Sequence, residues 1–248
     1  MVLRVALDAE MNSLVRLYLL LHALLAYDFL CLALFIHPVH NYYMKLTVLL
    51  IIINVLAFIY TSASSDYYVS RYGFNTRSFL SGHFEVLFTS MFLHAGLAHI
   101  FGNMVALFFL GWTVEKNSKW WQYLLAYFGA GIAGGLSMFL LPAGVIAIGA
   151  SAAISGIVGM GVFKCPTKFV LFPEIIPLPF VPAGAVYLIA NVTGLLAPSE
   201  VGYAAHLAGF AVGSAMGLKW GKHGLRMLLG FVATIMVVVI AMRYLHLL

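Results

Sequence analysis

Apolar residues fall in long runs separated by short polar connections. A helix of about 20 apolar residues crosses the ~30 Å hydrocarbon layer of a bilayer. On that measure the sequence predicts spans at about residues 17–36, 45–63, 97–114, 120–141, 202–219 and 224–245. Two further runs are less regular. Residues 148–163 are short and rich in glycine, alanine and serine, and 169–197 opens with Pro173, Pro177, Pro179 and Pro182. Clustered prolines interrupt a helix, so the helical part of that run is expected from about Pro182. The first run contains Asp28. Its carboxyl costs about 2.5 to 3.5 kcal/mol at a helix centre, against about 0.3 to 0.6 gained from each Leu, Ile and Phe. Insertion wins, and the run is kept as a span rather than a cleaved signal peptide, since no compact A-x-A site follows it. The expected organisation is an N-terminal extension with an extra span (1–44), a six-helix core (45–219) and an extra C-terminal transmembrane helix (220–248).

Composition turns this pattern into a class. Of 248 residues, 63% are hydrophobic and 8% charged, and the mean hydropathy is +1.02. A soluble domain carries about 25% charged residues, so this chain cannot cover a water-facing surface. The fold class is an all-α, polytopic membrane protein whose first partner is the lipid bilayer. Disorder, a disulfide scaffold and a nucleic-acid partner are disfavoured. Cys31 and Cys165 read as small hydrophobes.

Basic residues orient the bundle. Lys45, then Lys116 and Lys119, then Lys164 and Lys168, then Lys219, Lys222 and Arg226 occupy alternate connections, on one side. By the positive-inside bias that side is cytoplasmic. The segments holding His94, His99 and Asn103 (HAGLAHIFGN), Ser151 (GASAAISG) and His206 (AAHLAGFAVG) then all enter from the outer face. His99 and His206 fall about five residues in, roughly 7 to 8 Å below the outer helix ends.

Polar groups inside spans need partners or a wet cavity, which makes these few informative. His99 and Asn103 are four apart and share a helix face, whereas His94 is five from His99 and turns away. Small residues at Ser151, Ser155, Gly156 and Gly159, and at Gly202, Gly209, Gly213 and Gly217, let two helices approach closely. A serine hydroxyl needs a base, and histidine is the base that titrates near neutrality. Ser151 and His206 supply that pair. His99, Asn103 and the Ser151 backbone amide are candidate donors to a developing oxyanion. No carboxylate is evident to orient His206, since only Glu200 is near it in sequence, so a dyad is expected. HAGLAH lacks the spacing and glutamate of a zinc HExxH site. Asp28 is the one acid within a span, which argues against an aspartyl pair. No cofactor or metal is expected.

From about Phe84 to Gly217 the chain resembles the rhomboid intramembrane serine proteases, through HAGLAHIFGN, GWTVE, GASAAISG and AAHLAGFAVG in that order. Each fragment is weak alone, and four in order are specific. The resemblance covers the six spans from about 45 to 219. It implies Ser151 of G-x-S as nucleophile and His206 of A-H-x-x-G as base. It implies His99 and Asn103 in the oxyanion hole, with His94, Gly149 and Gly209 supporting the site. It also implies substrates that are single-pass membrane proteins, cut near the outer end of a transmembrane helix; with the basic side cytoplasmic, the expected setting is a multi-pass protein of the cell membrane whose site opens to the extracytoplasmic side. The family usually has glycine after the nucleophile, where this chain has Ala152, and the loop from Ser64 to Leu93 lacks the Trp-Arg pair of many relatives.

Other readings are weighed beside this one. GASAAISG alone reads as a packing face, and a lone intramembrane histidine as a packing residue or a proton path. His22, His37, His40, His83, His223 and His246 read as interfacial or structural, Trp112, Trp120, Trp121 and Tyr123 as an aromatic belt, and Glu115 as a cap or loop anchor. A transporter or channel using His94, His99 and His206 is one alternative, although no inverted repeat is visible. A catalytically inactive rhomboid-like binder of membrane proteins is another.

Overall fold

The computed structural model describes residues 45–142, 144–172, 176–196, 202–222 and 224–244. The first expected span, with Asp28 and Cys31, lies outside them. The described residues are predominantly helical. The helices are α1 (Lys45–Ser62), α2 (Ser65–Tyr72), α3 (Thr76–Leu80), α4 (Val86–Thr89), α5 (Leu97–Ala106), α6 (Trp112–Lys116), α7 (Trp120–Ser137), α8 (Ser151–Lys164), α9 (Phe180–Leu195), α10 (Tyr203–Trp220) and α11 (Gly224–Tyr244). A wide helical turn over Leu107–Gly111 joins α5 to α6, so 97–116 forms one continuous rod. Lys45–Ser62, Leu97–Lys116, Trp120–Leu140 and Gly224–Tyr244 are each long and apolar enough to cross a bilayer, which is the pattern of a polytopic membrane protein.

The centre of the bundle is α8. Every residue from Ala152 to Phe163 is buried, because glycine, alanine and serine let neighbours close around it on all sides. Its 14 residues rise about 21 Å, less than the hydrocarbon thickness. A helix this short does not cross the hydrocarbon layer from rim to rim. Against it lies α10, whose glycines make the contact: a Cβ at Gly209 would strike the Ala152 carbonyl, one at Gly213 the Gly156 carbonyl, and one at Gly217 would stand 2.7 Å from the Met160 carbonyl oxygen. Gly202, grouped with these by spacing, precedes the helix and approaches no other element, its nearest neighbour being Ala205.

The segment from Ser64 to Leu93, read from sequence as a loop, folds into α2, α3 and α4. Asn75 starts α3 by accepting a hydrogen bond from Ser78 N at 2.8 Å. Phe74, fully buried, packs its ring against Phe79 and Phe139, and its backbone pairs with Ala147. This ties the segment to the strand of chain that leads into α8.

The proline-rich stretch forms a short antiparallel hairpin, Phe169–Leu171 with Pro177–Pro179. α9 starts at Phe180, slightly before Pro182, because a proline within the first turn removes no helical hydrogen bond. The expected C-terminal helix is present as α11. Phe231 is its one buried side chain, set between the rings of Phe163 and Phe210, and the remainder presents apolar residues outward as a lipid-facing helix does.

Candidate active site

Ser151 is the first residue of α8 and His206 lies in the first turn of α10. The glycine contacts draw these helix starts together, and His206 Nε2 stands 2.8 Å from Ser151 Oγ. His99 likewise lies in the first turn of α5. Both imidazoles therefore sit about 3 to 5 Å along their helices, shallower than the roughly 7 to 8 Å expected.

The other ring nitrogen of His206 faces a residue that the sequence reading did not single out. Nδ1 is 2.9 Å from Asn191 Oδ1, on α9. An amide oxygen accepts the same hydrogen bond as the carboxylate whose absence from the sequence pointed to a dyad. A signal was available: Asn191 is a lone buried amide in an apolar helix, the type of residue that a membrane interior retains only with a partner.

Gly149 shapes the opposite wall. Its φ is +110°, a conformation that side chains disfavour. Its N–H donates to Ser90 O at 2.8 Å. A Cβ there would lie 2.7 Å from His99 Nε2 and 3.4 Å from Asn103 Nδ2. The glycine is thus what admits both side chains beside the start of α8. Ala95 N donates to His99 Nδ1 at 3.4 Å, which leaves Nε2 as the protonated nitrogen of a neutral ring facing the site. Asn103 is buried, and its Nδ2 donates to no protein acceptor. Buried donors are seldom left so unless something arrives to receive them.

His94 is closer to this group than spacing suggested. Its ring meets that of His99 edge-on at 5.0 Å. Because α5 begins at Leu97, His94 and His99 are not on one helix, and helix-wheel angles do not relate them. His94 is buried, with the Phe92 backbone beside its ring. Gly209 is where its spacing placed it, against Ala152. Ala152 also has its room: residue 134 on α7 is glycine, and a Cβ there would collide with the Ala152 methyl. Among the described residues, no three His, Cys, Asp or Glu side chains gather as a metal-ligand set.

A family model of the Rhomboid domain matches residues 81–223, more than half of the chain. The chain belongs to the rhomboid family. Among similar curated proteins, RHOMBOID-like protein 12, mitochondrial, of Arabidopsis thaliana is 25% identical to this rhomboid over 64% of the chain and 52% of its own length. RHOMBOID-like protein 1 of the same plant is 32% identical over 53% of the chain and 33% of its length. Rhomboid protease GluP of Bacillus subtilis (strain 168) is 29% identical over 66% of the chain and 32% of its length. This rhomboid thus spans about half, or less, of the length of these relatives.

Proposed function

We propose that this rhomboid is an intramembrane serine endopeptidase that hydrolyses peptide bonds in or near the transmembrane helices of single-pass membrane proteins. The observation that carries the reading is the 2.8 Å contact between Ser151 Oγ and His206 Nε2 at the starts of two close-packed helices. As His206 Nε2 accepts the hydroxyl proton, Ser151 Oγ attacks the scissile carbonyl, and the negative charge develops on the carbonyl oxygen. His99 Nε2–H, Asn103 Nδ2 and the Ser151 amide are the donors available to it. Collapse of the intermediate breaks the C–N bond, and the proton on His206 passes to the leaving amine. Water then attacks the acyl ester with His206 again as base, and Ser151 recovers its proton.

The opening of the site toward the extracytoplasmic side rests on the positive-inside bias. Contacts gather several basic positions at the end of the bundle away from Ser151. Glu115 meets Leu46 and Thr47 at the start of α1, and Lys164 Nζ donates to Gln122 Oε1 at the start of α7. Lys45, Lys116, Lys119 and Lys164 lie at these helix ends.

The test is cleavage of a reporter transmembrane substrate in detergent or liposomes. Ser151→Ala and His206→Ala should each abolish cleavage while the bundle stays folded. Unchanged cleavage in either variant removes the assignment. A fluorophosphonate should label Ser151 in the unaltered protein; substrate binding without labelling or cleavage would favour an inactive binder.

A further inference from the structure

We infer that Asn191 is a positioning residue for His206, so that the reacting pair is held from a third helix, α9. The inference rests on the protease reading above and adds a residue to its machinery. Asn191 is buried, and both ends of its amide are committed: Nδ2 donates to Tyr187 O at 2.8 Å, which turns Oδ1 toward His206 Nδ1 at 2.9 Å. A carbonyl oxygen only accepts, so the hydrogen on a neutral His206 ring must be on Nδ1. Nε2 is then left with its lone pair facing Ser151 Oγ. The other tautomer would set two acceptors against each other at Asn191 and turn an N–H toward the hydroxyl that must lose its proton. Asn191 thereby selects the base form of the imidazole.

Packing would be served by any donor to Oδ1; the donor present is the ring nitrogen of the base, and that choice is the functional part. One turn earlier on the same face of α9, Tyr187 reaches the serine side of the pair. Its hydroxyl hydrogen-bonds Ser155 Oγ, and the Ser155 hydroxyl donates to Ser151 O at 2.7 Å. Two neighbouring positions on α9 thus reach the nucleophile's helix and the base. Phe210 stacks on the Tyr187 ring with centroids 5.9 Å apart, holding that face in place.

The experiment compares Asn191→Leu, similar in size but without an acceptor, with Asn191→Asp, which keeps an acceptor oxygen. The readouts are kcat and KM on the reporter substrate, the rate of fluorophosphonate labelling of Ser151, and the 15N NMR tautomer of His206. Orienting partners of metal-bound histidines are worth about 10- to 100-fold, and the same range is expected here. Asn191→Leu should lower kcat and the labelling rate by that factor with KM little changed. Asn191→Asp should recover most of the loss, and His206 in the unaltered protein should carry its hydrogen on Nδ1. Labelling and kcat at the unaltered rate in Asn191→Leu, or a hydrogen found on Nε2, overturns the inference. The tautomer is read without substituting any residue, so it decides the point even if Asn191→Leu does not fold. An active Asn191→Leu beside an inactive Ser151→Ala sinks this inference and leaves the protease reading standing. An unaltered protein that neither labels nor cleaves sinks the protease reading, whatever the tautomer.

Discussion

Asn103 and Glu115 stand on the same continuous rod of helix, about 18 Å apart along its axis, and both are buried, at 8% and 6% exposed. Around Glu115 every hydrogen bond closes. Its Oε1 accepts from Leu46 N at 2.9 Å, its Oε2 from Thr47 N at 2.8 Å and from the Thr47 hydroxyl at 2.5 Å, and Tyr123 OH completes the group at 2.8 Å from Thr47 Oγ1. The carboxylate caps the N-terminus of α1, where free N–H groups and the helix dipole favour negative charge. Around Asn103 the bonds stay open: among the described residues its Nδ2, beside Gly149, finds no acceptor, and the His99 ring next to it is met edge-on by His94. Two clusters of similar burial thus differ in whether they use up their own donors. The closed one holds three helices together at one end of the bundle. The open one offers donors to charge that develops during reaction, at a standing cost to the folded state.

The comparison can be broken from either side. The largest effect is expected at the open cluster: Asn103→Ala should lower kcat by about 10²- to 10³-fold, the usual loss for one oxyanion donor. Thermal stability in detergent should not fall, since its Nδ2 supports nothing within the fold and its removal relieves an unsatisfied donor. A large drop in melting temperature would make Asn103 a structural residue. Next comes Glu115→Ala, which strands several buried donors and should cost about 3 kcal/mol of stability. The turnover per fluorophosphonate-labelled molecule should stay unchanged. If turnover per labelled molecule falls instead, the two clusters are coupled along the rod. The smallest is Tyr123→Phe, expected to cost about 1 kcal/mol, read as a modest shift in thermal unfolding with full activity.

Much of the bundle could be read along the chain. The spans at 45–63, 97–114, 120–141, 202–219 and 224–245 all appear as helices with ends within a few residues of expectation. Glu115 proved to be the cap its position suggested, and His99 and Asn103 do share a face toward Gly149. His94 precedes the start of its helix, and so does Gly202, so helical spacing describes neither residue. The stretch from Ser64 to Leu93 carries too little regular periodicity to announce three short helices, whose stability comes from burying Phe74 against Phe79 and Phe139.

That this rhomboid is a helical membrane protein, and which few polar residues stand within its spans, follows from the order of its residues alone. Hydrophobicity and the scarcity of charge act residue by residue, and a bilayer imposes the same rule on each segment separately. It takes the packed bundle to bring His206 to Asn191 as well as Ser151, to carry Tyr187 to Ser155, and to set Gly134 where it leaves room for the Ala152 methyl. Those meetings depend on how near two backbones come and which rotamers remain when they do. Both are set jointly by helices far apart in the chain.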